Sequence, residues 1–305
     1  TILQIAGFVA LMLIVGRRVL PKLLWLVART GSQELFTLAV ISAAISIAYG
    51  AAALFNVSFA LGAFFAGFID SVVGGGGLIQ LPALFTALPN AAPATLFGTN
   101  KLASIVGTTS AAIQYGRRVS IPWRVALPGA AAALVGSWYG AKAVAYLDPA
   151  ILRPLILVLL VAVAAYTFIR KDLGAVSAEP AHGARSALLA ATIGAVIGFY
   201  DGFFGPGTGS FLIFLFIRFL GMDFLRASVT AKILNVATNA AAISFFVGNV
   251  ELLWKLAAVM AVCNLAGALL GSRMALKHGV VFVRKMFLAV VTVLIARLAY
   301  DTFLR

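Results

Sequence analysis

Charge is scarce in this sequence: Asp, Glu, Lys and Arg make up 10% of its 305 residues, and only 9 of them are acidic. A soluble domain carries roughly 25% charged residues, so an aqueous globule of this size is excluded. Cysteine is nearly absent, with Cys263 alone in an apolar run beside Asn264, which excludes a disulfide framework and reads as packing. His182 and His278 are the two histidines, and neither has a second ligand at metal spacing. No nucleophile–base pair stands out, so an intramembrane enzyme is the weakest reading, and no metal or cofactor is expected. The GGGG run lacks the Lys-Ser/Thr of a phosphate-binding loop, and no strand precedes it. GPGTG fails as a dinucleotide fingerprint for the same reason.

What is abundant is apolar sequence: 63% of residues are hydrophobic, and the mean hydropathy is +1.07. The apolar runs recur along the whole chain, so lipid is the solvent for most of it. The net charge of +14 comes from short basic clusters between those runs. They are Arg17, Arg18, Lys22 and Arg29; Arg117, Arg118 and Arg124; Arg170 and Lys171; and Arg273, Lys277, Arg284 and Lys285. Such clusters mark cytoplasmic loops. There is no basic stripe with interleaved aromatics, so nucleic acid is not an expected partner. The first apolar run shows no small-residue cleavage signature, and no signal peptide is expected from it.

The chain repeats itself. At a constant offset, 198 − 67 = 131, Gly67, Phe68 and Asp70 meet Gly198, Phe199 and Asp201, and Gly74 and Gly76 meet Gly205 and Gly207. Thr99, Lys101, Trp123, Gly136, Gly140 and Arg153 meet Thr230, Lys232, Trp254, Gly267, Gly271 and Arg284. Matched Asp, Lys, Trp and Arg are rare residues here, so chance is a poor explanation. The expected division is 1–56 as extra N-terminal helices (near 1–16 and 34–54), 57–172 as the first repeat, 173–186 as a polar linker and 187–305 as the second repeat. Each repeat reads as five apolar segments: 57–73, 77–89, 95–116, 123–146 and 150–169, then 187–204, 208–220, 226–247, 252–276 and 281–303. The second segment of each is too short to span a bilayer and follows a glycine break. Glycine-interrupted segments at matching places in two halves point to a transporter site. The basic cluster follows the third segment in the first half and the fourth in the second, where Glu251 and Lys255 stand after the third. The fold expected is therefore an all-α integral membrane bundle of two homologous, inverted repeats with Gly-broken helices.

Chemistry is sought where charge enters the membrane, because a mid-span Lys or Asp costs about 2.5–3.5 kcal/mol. Lys101 and Lys232 each follow a threonine by two residues, and Asp70 and Asp201 each precede a glycine break by four. Glycine loops and helix N-termini present N–H groups that favour an anion. The expected substrate-binding set is Gly74, Gly75, Gly76, Gly77, Thr99, Asn100, Lys101, Gly205, Gly207, Thr230, Lys232 and Asn235. Asp70 and Asp201 are open to two roles: each braces the lysine of its own half, or one carries a coupling proton. Asn239, Asn264 and Ser244 read as interhelical hydrogen bonding, and the glycines of Gly136-Gly140 and Gly267-Gly271 as close packing. Trp123 and Trp254 read as interface anchors.

AGFIDSVVGGGGLIQLPALF, FGTNKLASIVGTTSAAIQY with its tail GRRVS, and GFYDGFFGPGTGSFLI resemble the sulfite exporter TauE/SafE family, with coverage from about Ala66 to the C-terminus. That resemblance implies secondary transport, often export, of sulfur-containing anions such as sulfite or sulfonates. The expected partners are then a small anionic solute, membrane lipid and a coupling proton or cation, with an oligomer possible, in a multi-pass protein of the bacterial inner (cell) membrane. GRRVLPKLLWLVARTGSQELFTLAVISAAISIAYG and LFNVSFALGAFFAG instead resemble a stretch of Kef-type cation:proton antiporters, and the two resemblances meet at FFAG–FIDS. The only acid before Gly67 is Glu34, so no antiport site is expected there. The competing readings are a monovalent cation:proton antiporter and a non-transporting membrane scaffold.

Overall fold

In a computed structural model of the chain, the described residues are 58–148, 151 and 183–277. The segments expected near 1–16, 34–54 and 281–303, and that at 150–169 apart from Ile151, lie outside them, as do His182 and His278. The described residues form eight helices: α1 (Ser58–Val73), α2 (Gly77–Ala87), α3 (Pro93–Gly116), α4 (Trp123–Tyr146), α5 (Gly183–Phe203), α6 (Thr208–Leu220), α7 (Phe224–Asn249) and α8 (Trp254–Lys277). Helix α5 begins within the expected linker and takes in Gly183–Ser186.

Among the described residues, α5, α7 and α8 are long and apolar enough to cross a membrane. Helices α3 and α4 have 24 residues each, a length of about 36 Å at 1.5 Å per residue. The polar residues of α3 lower its hydropathy without shortening it. Helices α2 and α6, of 11 and 13 residues, are too short to span the roughly 30 Å hydrocarbon core.

Local chemistry explains where the helices stop and start. Helix α1 ends because Gly74 takes φ +80, a left-handed conformation that glycine adopts at little cost. Its N–H still reaches Asp70 O at 2.8 Å, so the turn closes before the chain is redirected. Helix α5 ends in the same way at Gly205, φ +97, and the Tyr200 hydroxyl donates to Pro206 O at 2.5 Å across the new loop. Pro93 opens α3 after an extended Ala92, where its missing N–H is no loss. At the start of α7, Asp223 accepts from the N–H groups of Leu225 and Arg226, both at 3.0 Å. Three starts stand one interval apart: 208 − 77, 224 − 93 and 254 − 123 each equal 131.

The tightest helix contacts cross between the two halves of the chain. Helix α4 lies on α5, where a Cβ added at Gly136 or Gly140 would run into the backbone carbonyls of Ala195 or Phe199. In return, Gly194, Gly198 and Gly202 of α5 face the carbonyls of Gly129, Ala133 and Ser137. Helix α8 meets α1 likewise, with Gly267 and Gly271 against the carbonyls of Phe64 and Phe68. Small residues let backbones approach where lipid offers no hydrophobic driving force between helices. Asn264 of α8 adds a polar tie, donating through Nδ2 to Gln80 Oε1 of α2 at 3.4 Å. Among the described residues Ser244 bonds only within its own helix, to Ala241 O. Trp123 and Trp254 stand more than half exposed at the starts of α4 and α8, and Cys263 is a free thiol of intermediate exposure.

Candidate functional site

The two glycine breaks meet each other. A Cβ on Gly74 would lie 2.5 Å from Gly209 Cα, and Ser210 N donates to Gly74 O at 3.3 Å. The Ser210 hydroxyl donates to Val73 O at 2.7 Å, and Gly77 lies against Pro206. No side chain larger than hydrogen fits at the Gly74–Gly209 crossing, which is why the breaks in both halves need glycine there. The N–H groups of Gly75, Gly77 and Gly207 have no hydrogen-bond acceptor among the described residues.

Beside this crossing is a small polar cavity, with about 30 Å³ open to the centre of a water-sized body. It is lined by Asp70, Gly74, Gly77, Asn100, Lys101, Ser104, Thr108, Asp201, Gly205, Gly207, Asn235 and Asn239. The space suits a few waters or one small ion. It draws on α1, α2, α3, α5 and α7 and on the loop before α6, so neither half of the chain builds it alone.

Its one direct ion pair joins the halves. Lys101 Nζ lies 2.8 Å from Asp201 Oδ1, with both side chains at most 5% exposed. The Thr208 hydroxyl also donates to Asp201 Oδ1, at 2.8 Å. Gly205 leaves room for this pair, since a Cβ there would stand 3.0 Å from Asp201 Oδ1 and 3.1 Å from Lys101 Nζ. Across the cavity Asp70 accepts the Thr108 hydroxyl at 3.0 Å and is an electrostatic neighbour of Lys232. Among the described residues Lys232 makes no ion pair within 4.0 Å; its Nζ lies 4.7 Å from the centroid of the Tyr115 ring, whose hydroxyl donates to Ser71 O.

These positions correct the expected bracing. Asp70 with Lys101 and Asp201 with Lys232 are not the partners; each lysine faces the aspartate of the other half. The reason is the crossed packing, in which α5 of the second half lies on α4 of the first. Nine of the expected site residues reach the cavity: Gly74, Gly77, Asn100, Lys101, Gly205, Gly207, Asn235, Asp70 and Asp201. Gly75, Gly76, Thr99, Thr230 and Lys232 do not line it. Thr99 and Thr230 donate at 2.7 Å to the carbonyls of Thr95 and Arg226, four residues back on their own helices. Thr99 also accepts from Leu253 N at 3.2 Å, holding the approach to α8. Gly76 sits against Ala66 and Asp70, where its place is structural.

Ser104 and Thr108 were not expected, and Asn239 was expected only as an interhelical contact. A signal for them existed. Asn100, Ser104 and Thr108 are spaced by four on α3, as are Asn235 and Asn239 on α7. This spacing puts each set on one face. The two faces also share the repeat interval, 235 − 104 = 131 and 239 − 108 = 131.

A family model described as "Sulfite exporter TauE/SafE" matches residues 59–298. The chain belongs to the sulfite exporter TauE/SafE family. Its match takes in every helix of the cavity. Among curated relatives, "Probable membrane transporter protein YfcA" of Escherichia coli (strain K12) is 36% identical over 241 residues, covering 79% of this chain and 88% of that protein. "Probable membrane transporter protein ORF9" of a Sinorhizobium species is 35% identical over 240 residues, 78% of this chain and 90% of that protein. A separate similarity, 54% identity over 69 residues, links 23% of this chain to 12% of "Putative cation/proton antiporter YbaL" of Escherichia coli (strain K12). No solved structure matches the chain. Family membership, with several apolar helices, makes this a multi-pass membrane transporter and not an enzyme.

Proposed function

We infer that the chain is a secondary transporter that exports a small sulfur-containing anion, such as sulfite or a sulfonate, through the cavity at the Gly74–Gly209 crossing. The single observation that carries this reading is a buried ammonium, Lys101, in the same small polar cavity as the acceptor-less N–H groups of Gly77 and Gly207. Buried N–H groups and a cation together favour an oxyanion. The choice of sulfur chemistry draws on the name of the family. In this reading 57–172 and 187–305 are inverted repeats with Gly-broken helices, and the recurring helix starts support that symmetry. Alternating access is then a rocking of one repeat against the other around a midplane site. Antiport is not part of the proposal, because residues 1–66 hold Glu34 as their only acid and the similarity spans 12% of that relative.

The test is flux of labelled sulfite in proteoliposomes, with and without a pH gradient. Saturable flux that Lys101→Ala abolishes and Lys232→Ala weakens is the expected result. Absence of flux for sulfite and for a simple sulfonate would overturn the reading.

A further inference from the structure

The Lys101–Asp201 pair poses a problem for any anion that needs Lys101. Two carboxylates, Asp70 and Asp201, face two ammoniums, Lys101 and Lys232, so the buried cluster is formally neutral. A monoanion added to it leaves an uncompensated charge in surroundings where such charge is costly. Lys101 is moreover already occupied by Asp201 Oδ1 at 2.8 Å.

The other oxygen of that carboxylate stands differently. Asp201 is 2% exposed, and its Oδ2 has no hydrogen-bond partner. Asn100 Oδ1, on a residue 6% exposed, also has none. Both residues line the cavity. Buried acceptors without partners call for a hydrogen or a cation. The ammonium of Lys101 repels a metal ion from Asp201, whereas a proton neutralises the carboxylate at the cost of one ion pair. Gly77 and Gly207 meanwhile offer N–H groups without acceptors to the same space. Unmet acceptors and unmet donors in one cavity suit an anion that arrives together with a proton.

We propose that Asp201 is a built-in stand-in for the transported anion: it holds Lys101 in the unloaded protein, and a proton taken up on its Oδ2 frees Lys101 for a monovalent oxyanion. This rests on the anion-transport reading above. Hydronium at the open side gives its proton to Asp201, and the Lys101–carboxylate pair is replaced by a Lys101–anion pair beside a neutral carboxylic acid. The cluster remains neutral throughout. On the opposite side the anion leaves, water takes the proton, and the internal pair re-forms. The groups that face Asp201 are Lys101 from α3, Asp70 from α1, the Thr208 hydroxyl of α6 and the Tyr200 phenol on its own helix; Lys232 of α7 acts on Asp70.

The probe is methanesulfonate, which stays a monoanion across the assay range, with full-length protein in proteoliposomes holding a luminal pH dye. One proton should enter per anion, and binding should weaken as the pH rises, by at most about tenfold per pH unit, the limit for one linked proton. In Asp201→Asn, binding should lose that pH dependence and flux should become voltage-driven without luminal acidification. Wild-type flux with no acidification and pH-independent binding would overturn the proposal and leave the transport reading standing. If neither methanesulfonate nor sulfite binds or moves, both fall. Should Asp201→Asn fail to fold, the wild-type proton count decides alone.

Discussion

Lys101 and Lys232 occupy equivalent places in the two halves of the chain, and their surroundings differ. Lys101 is locked to Asp201 and lines the cavity; Lys232 is set over Tyr115, out of direct reach of Asp70 and away from the cavity. Asp201 takes a hydroxyl from Thr208, whereas Asp70 takes one from Thr108. The residues recur at one interval while the contacts do not. Equivalence in sequence therefore does not carry equivalence in contact, because each lysine meets side chains of the other half.

The comparison breaks most easily at Lys101. Lys101→Ala leaves Asp201 buried without its cation, a loss of about 3–5 kcal/mol for one partner of a buried pair. Denaturant or thermal unfolding in detergent should show the largest drop of any single lysine change. Next comes Gly74→Ala, where the added Cβ meets Gly209 backbone at 2.5 Å and the φ of +80 is unsuited to alanine. Overpacking of this kind costs about 1–3 kcal/mol, with left-handed strain added. Gly205→Ala meets only the ends of Asp201 and Lys101, which can shift, so the melting temperature of Gly74→Ala should be the lower.

Lys232→Met should cost less than Lys101→Ala, since it removes a contact with the Tyr115 ring worth about 0.5–2 kcal/mol rather than an ion pair. A double-mutant cycle sharpens this: coupling between Lys101 and Asp201 should exceed that between Lys232 and Asp70. The smallest effect separates the threonines. Thr99→Val strips Leu253 N of its acceptor, about 0.5–1.5 kcal/mol. Thr230→Val removes only a bond within its own helix and should fall below that range.

The breaks themselves were legible in the residues, because their causes are local. Gly74 and Gly205 end helices through their own φ angles, and Pro93 and Asp223 begin them through their own backbone and side chain. The choice of partner was not legible. A repeat interval says that Lys101 and Lys232 are equivalent, but which aspartate each meets depends on α4 lying on α5 and α8 on α1. Thr99 and Thr230 point to the site through their recurrence two residues before Lys101 and Lys232, but their bonds to carbonyls four residues back leave no donor to offer. Ser104 and Thr108 are hard to read from the sequence, because short polar residues in a greasy helix stand out only when their spacing of four is set beside that of Asn235 and Asn239.

In the transport reading proposed above, Lys101 is the anion's counter-charge. Equilibrium binding of labelled sulfite to purified wild type and Lys101→Met, at one pH and in the same detergent, measures it most directly. Saturable binding that weakens by at least about tenfold in the variant, the loss of about 1.4 kcal/mol expected when a charged hydrogen bond is removed, is the predicted result. Equal affinity in the two proteins, with Lys101→Met folded, would contradict it.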